Sequence, residues 1–527
     1  MDRGATPRER RSTVALAVVS VALLCTACGR PADDTPRHAD EGRALRRGLD
    51  AEPGTLDPRF AYDNAALAVA GDLYEGLTRE APDGTIVPGA AASWVVGADG
   101  LSFTFVLREG LRWSNGDSLS AEHFAAGLRA AADPAGTAPG APLLEAITAL
   151  EVVDDRTLRV RLERPLPYLP ALLAMPMAAP LHPGTVQSGA PATNGPYRLL
   201  HRLPNERIEL ERNPHYWSAA TVAIGRVDYL IIADIATQLK LYRAGDLDLT
   251  SEVPNAQLPF LRSNYAADLH VSPYLAVYAY AVNLSRLADR NARLALAMAV
   301  DRERITRQVT GAGEAPAFGW VPDGMPAYAP ARFEWHELPY GAASLRAREL
   351  WDAARRNGNA PERLVLCIDA GANHRRTAVA VADLWRTALG VQTEVVELEW
   401  RVFLDRRSDP GDCDLMRLGW SADFMDPEAF ASLFETGDVQ NTLGYSSAAY
   451  DGLLAESRLT AEPAQRMALL ARAEAQLLED IPVIPVFFPV AKRLVKPHVQ
   501  GFGGNPLAHF ATRNLSLVEP GTKKEGG

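Results

Sequence analysis

Apolar and polar residues alternate in three short runs: Phe103-Thr104-Phe105-Val106-Leu107, Leu158-Arg159-Val160-Arg161-Leu162 and Arg207-Ile208-Glu209-Leu210-Glu211. Successive side chains on a strand point to opposite faces, so each run predicts a strand with one covered face. Other stretches carry apolar residues at helical spacing. Residues 292–309 predict one long helix. Residues 345–356 predict a second, stopped by Asn357-Gly358. A third spans 377–389, ends at Gly390 and leads into a strand over 393–398. A fourth covers 464–478 and ends at Ile481-Pro482. Strands alternating with helices argue for α/β lobes with partly parallel sheets. Ligands of such lobes bind beyond the carboxyl ends of the strands.

One position of that kind follows the apolar run 414–418, which reads as a strand. After it come Gly419-Trp420-Ser421-Ala422-Asp423. Gly419 lets another backbone approach, and Trp420 shields the site from water. A carboxylate there can pair with a ligand ammonium group in low dielectric. On the segment alone, the plainer reading of Asp423 is a cap for a helix starting near Pro427.

With 527 residues the chain exceeds what one core supports, so two or three domains are expected. Its 47% hydrophobic and 23% charged content is that of an ordinary globular protein. A net charge of −11 leaves no basic footprint for nucleic acid. Four cysteines are too few for a disulfide scaffold.

The N-terminus departs from this pattern. Arg3, Arg8, Arg10 and Arg11 precede an apolar run over 14–24, which is of signal-peptide length. Leu24-Cys25-Thr26-Ala27-Cys28 resembles a bacterial lipoprotein cleavage site, with Cys28 as the lipidated residue. An ordinary signal peptide is the alternative, and both imply export. Removing residues 1–27 takes away four arginines and two acids and leaves about −13. Residues 28–43 form the lipidated cysteine and a polar tether.

Chemistry-bearing motifs are missing. There is no P-loop, and Gly311-Ala312-Gly313 lacks the third glycine of a dinucleotide site. There is no H-E-x-x-H, and the ten histidines show no metal-ligand spacing. Gly444-Tyr445-Ser446-Ser447-Ala448 fails the nucleophile elbow at its last position. No metal, cofactor or catalytic residue is expected.

Several segments together resemble the family 5 extracellular solute-binding proteins of peptide ABC transporters. They are Glu52-Pro53-Gly54-Thr55-Leu56-Asp57-Pro58, Asp72-Leu73-Tyr74-Glu75-Gly76-Leu77, and Leu107-Arg108-Glu109-Gly110-Leu111-Arg112-Trp113-Ser114-Asn115-Gly116-Asp117. The last is completed by Ser120-Ala121-Glu122-His123-Phe124. Asn194-Gly195-Pro196-Tyr197 and Glu211-Arg212-Asn213-Pro214-His215-Tyr216-Trp217 add to it. Arg493-Leu494-Val495-Lys496-Pro497 and the Asp423 segment are most similar to the oligopeptide-binding members. The resemblance runs over residues 49–517.

It implies an α/β fold: a two-lobed type II binding-protein clamp with a third domain packed on the first lobe. Lobe I would comprise 44–74, 183–275 and 491–527, the additional domain 75–182 and lobe II 276–490. The implied function is capture of short peptides and delivery to a permease, by a monomer on the periplasmic or cell-surface side of the inner membrane. The resemblance assigns Asp423 to the peptide α-ammonium, and Arg407, Arg417 and His374 to its carboxylate. It pairs Tyr62 and Asn64 on one lobe, and Gly419 and Ser421 on the other, with the ligand backbone. Trp400, Trp420 and Tyr274 would be pocket walls.

Departures from the family pattern are expected to matter. Ala276 and Ser421 replace a cysteine pair, so that disulfide is absent. Gly140 stands where a tyrosine is usual and is expected to open a pocket. Thr310 replaces a lysine that serves longer peptides. Ser408 replaces a histidine beside Arg407. Cys367 and Cys413 fall on neighbouring strands and read as free buried thiols, although export permits a bridge. Alternatives are binding of cell-wall peptides or dipeptides by the same fold, an exported hydrolase, and a chaperone or adhesion role.

Overall fold

A six-stranded sheet organises the C-terminal half, in the order Ala315–Pro316, Val483–Phe488, Ala276–Val282, Leu415–Ser421, Arg363–Asp369, Gln392–Leu398. The computed structural model describes residues 43–133, 136–184, 191–438, 440–442 and 444–518. Cys28, the export signal and the tether lie outside them. Strand Ala276–Val282 is buried along its whole length. Its alternate residues serve different cores: Val277, Ala279 and Ala281 face one apolar cluster, while Tyr278, Tyr280 and Val282 face another. A strand covered on both faces needs apolar residues at every position, and Ala-Val-Tyr-Ala-Tyr-Ala-Val supplies them. Arg363–Asp369 runs parallel to both its neighbours, whereas Ala276–Val282 is antiparallel to Leu415–Ser421.

A second sheet has the order Ala44–Leu49, Arg226–Ile231, Arg207–Arg212, Tyr197–Leu203, its first pair parallel and the rest antiparallel. A third, wholly antiparallel sheet contains Ala91–Val96, Ser102–Leu107, Thr157–Leu162 and Ile147–Asp154. All three alternating runs are strands. The two large parts of the chain are joined by an antiparallel ribbon of Leu269–Pro273 and Val490–Leu494.

Three of the four expected helices form: Tyr340–Arg356, Ala372–Leu389 and Pro463–Asp480. Gly390 ends the second in the left-handed region at φ 74°. Residues 292–309 are not one helix. Helix Arg290–Met298 stops, and the chain restarts at Asp301, whose carboxylate accepts from Arg304 N at 2.9 Å. Arg302 fills the break. It is buried, and its guanidinium donates to the carbonyls of Ala297, Val300, Ala317 and Pro485 at 2.7 to 3.2 Å. An uninterrupted helix would have used the Ala297 and Val300 carbonyls internally. Burial lowers the Arg302 pKa to about 9, and the carbonyl cage with the rings of Phe318, Phe333 and Trp335 compensates.

Cys367 and Cys413 form a disulfide, with Cα atoms 5.8 Å apart. This corrects the expectation of free thiols. Strand Arg363–Asp369 and the turn before Leu415–Ser421 are neighbours in one sheet, and Phe403 and Met416 enclose the bridge. It ties that turn, and helix Trp400–Ser408 leading into it, to the sheet.

Candidate functional site

The strand Leu415–Ser421 ends beside the ribbon that joins the two parts of the chain. Ser421 pairs with Ala276, and Ala422 N donates to Leu275 O at 2.8 Å. Ser421 also reaches the hydroxyl of Tyr274. Asp423 follows, half-buried. It makes no hydrogen bond or ion pair with any described residue. Burial raises its pKa, opposed by His509 nearby. A half-buried carboxylate without a partner favours the arrival of a cation. Asp423 is not the helix cap: Pro427 occupies the cap position of helix Glu428–Ala431, and Asp426 before it accepts from Glu428 N at 3.0 Å.

Sequence reasoning missed the groups beside Asp423. Glu80 and His509 lie 429 positions apart and meet with His509 Nδ1 at 3.0 and 3.1 Å from the carboxylate oxygens. Asn505 Nδ2 donates to Glu80 at 3.0 Å. No local pattern marks such a pair.

A second cluster lies at the end of strand Arg363–Asp369. Arg417 Nε donates to Asp369 Oδ1, and the guanidinium lies 5.8 Å from the Tyr278 ring centre. His374 Nε2 is 3.6 Å from Asp369 Oδ2, and its ring stacks on Tyr278. Burial first, and then Arg417, lower the His374 pKa to about 4, against the pull of Asp369. His374 is therefore a neutral imidazole near pH 7. Asp369 was also missed by sequence reasoning, and it engages two of the three expected carboxylate partners. Arg407 differs. It lines a small cavity with Arg417 and has no carboxylate partner among the described residues. Burial and the nearby Arg417 lower its pKa.

The remaining candidates are spread out. Gly419 leaves room for the Arg417 side chain: a Cβ there would stand 2.8 Å from Arg417 Nη1. Trp420 Nε1 donates to Ala429 O at 2.6 Å, so the indole braces the turn after Asp423. Trp400 opens helix Trp400–Ser408, is 48% exposed and stacks on Phe403. Tyr62 is 65% exposed, and Asn64 is the first residue of helix Asn64–Leu73, behind the cap Asp63. Among the described residues no hydrogen bond joins Tyr62 or Asn64 to Leu415–Ser421.

A family model for the bacterial extracellular solute-binding proteins, family 5 Middle, matches residues 85–442. The chain belongs to this family. It is 33% identical over 545 residues to the periplasmic oligopeptide-binding protein OppA of Escherichia coli, covering 97% of this chain and 99% of OppA. It superposes on the murein tripeptide binding protein MppA of Escherichia coli with a TM-score of 0.84 at 30% identity, over 90% of this chain and 99% of that one. It superposes on OppA of Haemophilus influenzae, in complex with RPPGFSPFR, with a TM-score of 0.83 at 30% identity, over 91% of this chain and 100% of that one. The family fold is therefore the fold of this chain, a type II two-lobed clamp.

Within that family frame the departures acquire positions. Ala276 and Ser421, where the resemblance implies a cysteine pair, are direct partners across two strands. The bridge this chain does form, Cys367–Cys413, lies elsewhere on the same sheet. Gly140 opens no space: a Cβ there would stand 2.2 Å from Met177 Sδ, so the methionine occupies the gap. Thr310 is buried and donates to Glu314 Oε2 at 2.8 Å. The same Glu314 lies 3.7 Å from Lys492 Nζ. Asn373 Nδ2 meets Glu252 Oε1 at 3.4 Å, joining helix Ala372–Leu389 to the loop 251–254. No helix among the described residues is long and apolar enough to cross a membrane.

Proposed function

We propose that this chain is the exported substrate-binding component of an ABC importer, which encloses short peptides between its lobes and delivers them to a permease. The observation that carries the reading is Asp423: a half-buried carboxylate with no hydrogen bond or ion pair among the described residues, beside the ribbon of Leu269–Pro273 and Val490–Leu494, with its pKa raised by burial. The peptide α-ammonium completes it. Arg407, which has no carboxylate partner among the described residues, takes the peptide carboxylate, with Arg417 and His374 as further partners. Gly419 and Ser421, facing Tyr62 and Asn64, hydrogen-bond the ligand backbone. Trp400, Trp420 and Tyr274 wall the side-chain pockets. OppA of Haemophilus influenzae, whose fold this chain shares, is known in complex with a peptide.

The lobes are 44–74 with 183–275 and 491–527, and 276–490; residues 75–182 form the additional domain. The protein catalyses nothing and acts as a monomer, anchored through lipid on Cys28 after removal of residues 1–27. Murein tripeptide is a second ligand class, since MppA shares the fold at a TM-score of 0.84. Native mass spectrometry of the protein purified from its own host tests the reading. Co-purified short peptides are expected, and cell-wall peptides alone would select the second class. Loss of peptide by cleavage during incubation would contradict a binding role.

A further inference from the structure

A cavity of about 240 Å3 opens beside Asp423, lined by Glu80, Ile86, Tyr168, Phe424, Met425 and Leu507 among others. Distant stretches of chain build it. Strands Thr78–Glu80 and Ile86–Pro88 approach from one side, the segment 167–171 from another, and the turn 505–509 from a third. Gly84 permits the approach. Its φ is 85°, and a Cβ there would stand 2.9 Å from Asn505 Oδ1 and 3.3 Å from Met425 Sδ.

The walls are largely apolar, with two carboxylates. Asp426 is fully engaged, receiving Arg466 at 2.7 and 2.9 Å. Glu80 is held differently. Its only charged partner within hydrogen-bond distance among the described residues is the His509 imidazole, with the Asn505 amide beside it. His509 contacts Glu80 from behind the cavity wall and is a counter-charge on it that a single proton switches on or off.

We infer that this cavity is a subsite for a lysine or arginine side chain on the first residue of the ligand, with Glu80 as its anion and His509 as a competitor for Glu80 that withdraws on losing its proton. The inference rests on the peptide reading. Asp423 fixes where the first residue sits, and the next two residues, Phe424 and Met425, form the cavity wall. Apolar walls suit the methylene stem of a long cationic side chain, and a carboxylate suits its head.

The charges facing His509 come from several elements. Glu80 stands on strand Thr78–Glu80, Asp423 on the turn after Leu415–Ser421, and Arg493 on Val490–Leu494. Burial and Arg493 oppose the imidazolium, while Glu80 and Asp423 favour it and raise its pKa above the ordinary value. Burial also opposes ionisation of Glu80, but His509, Asn505 and Arg513 outweigh it and hold the carboxylate below its usual range. In mildly acidic solution the imidazolium therefore occupies Glu80. An arriving ammonium must displace that proton, so the preference for a cationic first residue strengthens as pH rises.

Calorimetry on the intact chain with lysyl-alanyl-alanine and its norleucine counterpart, at about pH 8.5 and about pH 6, tests this. The ratio of the two affinities cancels whatever Asp423 contributes to both. At the higher pH the lysine peptide is expected to bind roughly tenfold more tightly, the scale of one charge-assisted hydrogen bond. The advantage should shrink at the lower pH. In Glu80→Gln it should vanish at both, and in His509→Asn it should no longer depend on pH. A wild type that binds the two peptides equally at the higher pH, or a lysine advantage that survives Glu80→Gln, would overturn the subsite alone. Binding of neither peptide would overturn the peptide reading and the subsite with it.

Discussion

Arg417 donates from Nε to Oδ1 of Asp369, 48 positions earlier, at the end of the neighbouring strand. The strongest anion partner of this arginine is thus part of the protein. A ligand carboxylate approaching Arg417 must share it with Asp369, whereas Arg407 has no such competitor among the described residues.

Arg407 is therefore expected to dominate recognition of the peptide carboxylate. Arg407→Met should weaken binding of a free-acid tripeptide by about 2 kcal/mol or more, while Arg417→Met costs less. A C-terminally amidated peptide should bind the wild type weakly and lose little further in Arg407→Met. A double cycle of protein and ligand change, measured by calorimetry, isolates the pair. Equal losses for acid and amide in Arg407→Met would contradict this assignment.

Ligand length follows from the same geometry. An extended chain advances about 3.3 Å per residue, so each added residue needs a cation further from Asp423. Thr310 is buried against Glu314 and carries no charge to offer. Tri- to tetrapeptides should bind best, and an alanine series from three to six residues checks this. A rise in affinity to the longest member would rule the ordering out.

His374 makes stability depend on pH in a defined direction. Its pKa in the folded chain is about 4, below the ordinary 6.5. Between these values the unfolded chain binds a proton that the folded chain does not, so stability falls as pH drops from about 6.5 towards 4. The contribution is on the order of 3 kcal/mol, and it is fully present above the upper value. Thermal unfolding of the wild type and His374→Gln at both ends of the window should show a shallower slope in the variant. Identical slopes would mean that His374 titrates normally.

The Cys367–Cys413 bridge closes a separation of 46 residues. Replacing both cysteines by alanine should lower unfolding free energy by about 2–4 kcal/mol, the usual scale for such a loop. Alkylation of the denatured, unreduced protein should leave both cysteines unmodified. Labelling of both would restore the free-thiol expectation.

What could be read from the chain, and what could not, divides along physical lines. Alternation at Phe103–Leu107 marked a strand because one face is covered and the other is not. Gly390 marked a helix end because its φ suits glycine. The helix break near Arg302 was not legible, because the apolar spacing runs straight through it. Only the carbonyls of Ala317 and Pro485, brought in from elsewhere, reveal why the chain interrupts itself. The Cys367–Cys413 bridge depended on a parallel strand register that no local signal specifies. Met177 at Gly140, Asp369 between Arg417 and His374, and Glu80 against His509 are likewise long-range meetings. Sequence periodicity reports what one element needs, and these contacts belong to two.

The central claim is that Asp423 holds the α-ammonium of a peptide. Removing one partner of a buried charge pair costs about 3–5 kcal/mol, which is several hundred-fold or more in affinity. Calorimetry with one tripeptide in free and N-acetylated forms measures this directly on the wild type. The account predicts tight binding of the free peptide and loss of that affinity on acetylation, with Asp423→Ala equally poor for both. Equal affinity of the wild type for the free and acetylated forms would contradict it.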